Sequence, residues 1–489
     1  MRKSLFLKNG IIMAVSALII RCMAMAFRVF LSDTAGAEGM GLYQLVMSVY
    51  LFFAAVSTSG IMLCATRLFG EMSAKGNFGQ AKYTVERCII IALAFGGALG
   101  GIMLISADTC AELILHEKAA APALRLLAPS LPFMAASACI RGYFCARRKT
   151  LQTSVEQLLE QIIEFGTFAL VFAVFPPVST EGMCCNAVIG TSAAELVSFV
   201  YSMICYRADI KSFKCANERV PSLVGKLLPI ALPVTANACL RSGLSAAENS
   251  LIPLGLRKYG SSSSEALAQY GIISGMSMTV LVFPSVFIIP FAVLVVPEIA
   301  EAVVLGHIRT VRRIAEKMIS LTLLYSLPVT VIFIFYAVPI CRLVFGNEQA
   351  GEYLSMLAPA VPLMYLDSVA DGILKGLNEQ TSYLIFNTLD SIIRVILTYT
   401  LLPVYGIAGV IAVIIISELL NTFLSLARLV KLTKIELRLF DNVFIPLCCI
   451  IIPCLLTRLT PFISVLFKIV IAVGFYISAI LITKHKPDC

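Results

Sequence analysis

Apolar runs of about twenty residues, separated by short clusters of charged, Gly, Pro, Asn and Ser residues, follow one another along the whole chain. They fall at 9–32, 41–66, 84–107, 124–146, 153–176, 183–206, 226–250, 269–297, 315–340, 355–376, 383–403, 407–430, 442–460 and 462–483. A helix of about twenty residues, rising 1.5 Å per residue, crosses the ~30 Å hydrocarbon layer. The pattern therefore predicts an all-α integral membrane protein of about fourteen transmembrane helices. Composition agrees: 59% of the 489 residues are hydrophobic and only 14% are charged, against roughly 25% charged in soluble domains. A water-soluble enzyme is excluded. The first run carries Arg21 and Arg28 and is too long for a signal-peptide core, so it reads as a retained span.

The net charge of +9 is not a nucleic-acid patch, because Lys and Arg are scattered between the apolar runs. It is topological. With Arg2, Lys3 and Lys8 in the cytoplasm, most basic residues fall on that side, at Arg147 to Lys149, Arg207 to Arg219, Arg309 to Lys317 and Arg428 to Arg438. An even number of spans returns Lys484 and Lys486 to the same face, which predicts a multi-pass protein of the cell membrane with both termini cytoplasmic. No connection is long enough for an independent domain, and no GxxxxGK[ST] loop occurs, so neither an ATPase nor an enzyme is expected. Gly96, Gly97, Gly100 and Gly101 read as a helix-packing surface rather than a nucleotide loop. The three His are far apart and the sixteen Cys form no CxxC, so no metal site and no bound cofactor are expected.

A repeat organises the spans. Residues 124–134, LRLLAPSLPFM, recur as LSMLAPAVPLM at 354–364, a displacement of 230 residues that continues through Gly142/Gly372 and Glu160/Asp390. Six spans separate the copies, so both run in the same direction, as in a parallel pseudo-twofold repeat. The chain then divides into a six-helix lobe at 1–220, a second at 221–440 and two additional helices at 441–489. Two such lobes are the architecture expected of alternating access. The displacement also places Asp371 opposite Arg141 and Arg394 opposite Glu164, exchanging the signs. With the hairpin turns placed near 152 and 382, Arg141 matches Glu164 in depth and Asp371 matches Arg394, predicting two ion pairs within the membrane. Local pairing of Asp390 with Arg394, four residues apart, is the rival.

Intramembrane charges outside those pairs are candidates for a transport pathway. Arg21 and Arg28, seven residues apart, share one face of the first span; Arg241 and Glu248 repeat that spacing in the seventh, and Arg67 closes the second. Guanidinium groups suit a phosphate or pyrophosphate because they stay charged when desolvated and bind its oxygens bidentately. Arg21, Arg28, Arg67 and Arg241 are therefore the candidate anion-binding residues, the alternative being that they snorkel or meet a carboxylate on a neighbouring helix. Glu248, Asp371, Asn387 and Asp390 are candidate ligands for a coupling Na⁺ or H⁺, with structural pairing as the rival. Pro229, Pro233, Pro284, Pro290, Pro359 and Pro362 mark kinks within spans.

The run Gly39-Met40-Gly41-Leu42-Tyr43-Gln44-Leu45, Arg67, the block LRLLAPSLPFMAASACIRGYFCARR at 124–148 followed by Glu156 and Glu160, and the span count resemble the stage V sporulation protein B branch of the polysaccharide-biosynthesis flippases. The resemblance covers essentially the whole chain. That branch belongs to the multidrug/oligosaccharidyl-lipid/polysaccharide exporter superfamily and is similar to the lipid II flippases. The resemblance implies a cationic cavity carrying Arg21, Arg28 and Arg67, a groove for a polyprenyl tail on the last two spans, and a spore-forming host. It implies transport of an undecaprenyl-pyrophosphate-linked cell-wall precursor from the cytoplasmic to the outer leaflet, the membrane lipids and cell-wall synthesis proteins being the partners. Cys145 departs from the pattern, which has Gln there. A cation-coupled multidrug exporter of the same superfamily and a non-transporting scaffold are the alternatives. The span-one arginines argue against the exporter, which needs an acidic cavity.

Overall fold

A computed structural model describes residues 2–177, 179–211, 220, 223–436, 440–458 and 464–484, with the side chains of 2–14, 224, 226, 441, 458, 483 and 484 left aside. The described residues are almost wholly helical, as hydrocarbon requires, since a helix satisfies its own backbone hydrogen bonds. The first 73-residue helix breaks at Gly36, where φ is 66° and ψ −173°, into α1 (2–35) and α2 (37–74). It is followed by α3 (Phe78–Thr109), α4 (Lys118–Ala146), α5 (Thr150–Val174), α6 (Thr180–Ile210), α7 (Leu223–Tyr259) and α8 (Ser263–Phe287, continued by Ile289–Val304). Then come α9 (Ile308–Phe345), α10 (Glu348–Leu357 and Ala360–Gly376, bent by 59°), and a 54-residue helix that Gly406 breaks into α11 (380–405) and α12 (407–433). The shorter α13 (Ile445–Arg458) and α14 (Val465–Lys484) end the series, so the described residues contain the fourteen segments read from the sequence.

The repeat is written into the backbone. Gly76, His116 and Arg148 adopt positive φ at three turns, and Gly306, Gly346 and Asn378 do so 230 residues later. The hydrogen bonds that close the turns recur with them: Asn77 N to Met72 O at 3.0 Å and His307 N to Ala302 O at 2.9 Å, then Lys149 N to Phe144 O at 3.0 Å and Glu379 N to Leu374 O at 2.9 Å. Pro129 and Pro359 both interrupt their helices. The charge exchange extends further. Lys118 lies 3.3 Å from Glu112, and at the equivalent positions Glu348 lies 2.7 Å from Arg342. One copy carries the pair with its signs reversed.

Packing separates two compact units, Met1–Arg257 with Ser261–Gly271, and Lys258–Gly260 with Ile272–Cys489. The repeat divides the chain at 220, whereas packing divides it between 257 and 272, because α7 lies against α2. A methyl group at Gly60 would meet Thr235 and the Ala231 carbonyl, and Cys64 Sγ is 3.6 Å from Leu227 O. Half of the glycine cluster of α3 is a packing surface: a Cβ at Gly96 would lie 2.8 Å from Leu131 O and one at Gly100 2.6 Å from Ala128 O, whereas Gly97 and Gly101 face open space with no atom within 4 Å. Within the first unit α2 and the start of α8 also approach backbone to backbone, Gly41 against the Leu267 carbonyl and Gly271 against that of Ala37. Within the second, α13 and α14 pack on α9, where Tyr336 bonds Thr457 Oγ1 at 2.7 Å and Tyr476 donates to Leu324 O at 2.7 Å.

The α4–α5 turn is clamped by Asp209 at the end of α6, which accepts from Tyr143 at 2.6 Å and Arg147 at 3.2 Å and pairs with Lys149. The α10–α11 turn is clamped in the opposite sense: Glu379 accepts from Arg428 of α12 at 2.8 Å and from Ser382 at 2.6 Å. The Ser382 hydroxyl and the Arg428 guanidinium hold the Glu379 carboxyl below its ordinary range.

Candidate functional site

Arg21 and Arg28 project from α1 two turns apart, Arg21 exposed and Arg28 partly buried. Their helix is fixed by aromatic packing. Phe27 meets Tyr43 at 6.0 Å and Phe168 at 5.5 Å between ring centroids, and Phe30 meets Phe165 at 5.6 Å, Phe168 at 5.4 Å and Phe172 at 6.0 Å. All are edge-on contacts. Arg28 lies between these rings in sequence and within electrostatic range of Tyr43, Arg21 and Glu164. Glu164 on α5 accepts from Thr191 of α6 at 2.8 Å and from Gln161 at 3.0 Å. The result is a cationic helix face beside a fixed carboxylate, mounted on three helices of one unit.

The remaining candidates are dispersed. Arg67 is exposed about two turns before the end of α2 and donates to Glu71, one turn on, at 2.9 Å. Arg241 and Glu248, both partly buried, lie on α7 of the first unit. In the second unit Asn387 donates to the Tyr383 carbonyl of its own helix at 3.0 Å, while Asp390 accepts from Ser417 of α12. Asp367 accepts from Asn421 at 2.9 Å and Ser425 at 3.1 Å. Thus Ser417, Asn421 and Ser425, spaced four apart on α12, present oxygen and nitrogen atoms to the acidic faces of α10 and α11. The described cysteines are free thiols, and Cys64, Cys88 and Cys139 sit together in the core of the first unit.

The predicted pairing of Arg141 with Glu164 is corrected. Arg141 donates to Glu156 Oε1 at 3.2 Å and lies 3.9 Å from Glu160, whereas Glu164 is held by Thr191 and Gln161. The reason is register. The turn is at 147–149 rather than near 152, so the residue at the depth of Arg141 is about two turns earlier on α5. In the second unit Arg394 lies 3.9 Å from Glu418 of α12. Two features escaped the sequence reading. The aromatic clamp was signalled by Phe165, Phe168 and Phe172 at helical spacing, and Glu195 is buried in α6 facing the Glu156 to Glu164 stripe.

These observations describe a many-helix membrane protein that carries charged side chains within its spans. Residues 6–303 match the polysaccharide biosynthesis protein family model, and 258–400 match the MatE model. The chain belongs to the polysaccharide biosynthesis protein family. It is 24% identical to stage V sporulation protein B of Bacillus subtilis (strain 168) over 448 residues, covering 90% of this chain and 86% of that one. It is 20% identical to the lipid II flippase MurJ of the same organism over 466 residues, covering 87% of this chain and 83% of the relative. The solved structure of lipid II flippase MurJ in an inward closed conformation superposes with a TM-score of 0.72 at 15% identity, covering 97% of this chain and 98% of that chain. The likeness of folds extends to MATE transporters.

Proposed function

We propose that the protein moves an undecaprenyl-pyrophosphate-linked cell-wall precursor from the cytoplasmic to the outer leaflet of the cell membrane, without breaking a covalent bond. The observation that carries the reading is the paired Arg21 and Arg28 on α1, held in place by the Phe27, Phe30 and Phe168 contacts. In a site of low dielectric, two guanidinium groups attract a pyrophosphate strongly, and their planar forks match its oxygens. Arg241 and Arg67 add cationic contacts along the route, and α13 and α14 hold the prenyl chain in lipid. Both termini lie in the cytoplasm, as the distribution of Lys and Arg favours. A Na⁺ or H⁺ gradient acting on Glu248, Asp371, Asn387 and Asp390, or the membrane potential at about 2.3 kcal/mol per charge per 100 mV, returns the empty protein. The names of the relatives support this assignment, since MurJ is a lipid II flippase.

The test is translocation of a lipid-linked pyrophosphate precursor in proteoliposomes. Replacing Arg21→Ala and Arg28→Ala together is expected to abolish it while leaving the protein folded. The MatE match keeps an organic-cation exporter as the competing reading. Cation efflux that survives the double substitution, in vesicles that flip no precursor, overturns the flippase assignment.

A further inference from the structure

Among the described residues, the first unit buries more acid than base. Arg141 on α4 meets Glu156 at 3.2 Å and Glu160 at 3.9 Å, both on α5, and Glu195 on α6 interacts with Arg141, Glu156 and Glu160. Glu156 and Glu195 are only 1% and 3% exposed, and one carboxyl oxygen of each has no hydrogen-bond partner. The Ser198 hydroxyl, fully buried, has none either. Thr191, Glu195, Ser198 and Ser202 form one stripe of α6, facing the Glu156, Glu160 and Glu164 stripe of α5. Ser202 reaches Glu156 at one end of that stripe and Thr191 reaches Glu164 at the other, so Ser198 points into the acids between them. The other titratable groups around the cluster are Tyr50 of α2, whose hydroxyl bonds Ser130 at 2.9 Å, Tyr201 near Glu156, and Glu164, which lies toward Arg28.

We propose that Glu156, Glu160 and Glu195, arranged around Arg141, form a proton-holding site within the first unit. Three carboxylates against one guanidinium leave two negative charges uncompensated among buried side chains, and two protons shared among the three carboxyls make the group neutral. Each proton also supplies an O–H donor where the orphaned oxygens and Ser198 lack one. The guanidinium repels a metal cation at the same spot, and no three carboxylates among the described residues converge as metal ligands. Glu160, with 26% of its side chain exposed, is the member through which protons enter and leave. The site stands independently of the substrate; only the use of its protons in transport rests on the flippase reading.

Infrared spectroscopy of the full-length protein in lipid vesicles tests it. At neutral pH the native protein is expected to show the C=O stretch of protonated carboxyl groups, and native-minus-variant spectra of Glu195→Gln and Glu160→Gln should each show part of that band lost. A native spectrum without the band, or a band that neither substitution changes, overturns the proposal. So does a band that vanishes when sodium replaces choline in the buffer, which would make the site one for a metal cation. Should Glu195→Gln fail to fold, the more exposed Glu160→Gln decides alone. A protein that keeps the band but flips no precursor contradicts the proposed function and leaves the proton site standing.

Discussion

Arg141 lies five residues before the end of α4, and that short distance selects Glu156 as its partner. Removing one member of a buried pair strands the other charge, at a cost of about 3–5 kcal/mol. Arg141→Gln is therefore expected to lower the melting temperature of the purified protein by several degrees, and exchanging the partners, Arg141→Glu with Glu156→Arg, should recover a large part of the loss. No recovery, or an equal recovery when Arg141→Glu is combined with Glu164→Arg, would refute the register seen here. The charges were legible as intramembrane from the sequence, but their pairing was not. A four-residue error in the turn shifts the facing position by roughly two helical turns, since each residue gained on one helix is lost on the other. Glu195 was hidden for a different reason: a single acid within an apolar run does not reveal which neighbouring helix it faces.

Glycine decides how closely two elements approach. In α2 and α8, Gly41 and Gly271 place backbone against backbone, while Gly70, also on α2, has no atom within 4 Å of where a Cβ would stand. Gly41→Ala is expected to destabilise the first unit by about 1–3 kcal/mol through overpacking. Gly70→Ala should instead stabilise it by up to about 1 kcal/mol by favouring the helix. Thermal melting of the two variants in the same detergent checks this, and a loss at Gly70 as large as that at Gly41 would contradict the packing. At this scale the sequence was most informative. The 230-residue displacement, found from one LAP-containing block, holds at the positive-φ turns of 76/306, 116/346 and 148/378. Turn geometry survives where side chains have diverged because few backbone conformations close these helices.

For the molecule as a whole, the polar contacts that tie α13 and α14 to α9 among the described residues include those of Tyr336 with Thr457 and the Cys454 carbonyl and of Tyr476 with the Leu324 carbonyl. In hydrocarbon there is little hydrophobic drive for one helix to bind another, so packing and such bonds carry the association. Tyr336→Phe with Tyr476→Phe is expected to cost about 1–3 kcal/mol for each donor lost. Hydrogen exchange should then rise in 445–458 and 465–484 while the first unit is unchanged; an equal rise there would show that the additional helices are integral to the whole. The sequence by itself determined the class, the fourteen segments, the repeat and the cationic first span, because crossing a membrane imposes length and apolarity on each segment separately. Which carboxylate meets Arg141, how the phenylalanines clamp α1 to α5, and which side of the packing boundary α7 joins were decided only by tertiary structure. Those features depend on helix rotation and on the depth of each turn, which are set by neighbours distant in the chain.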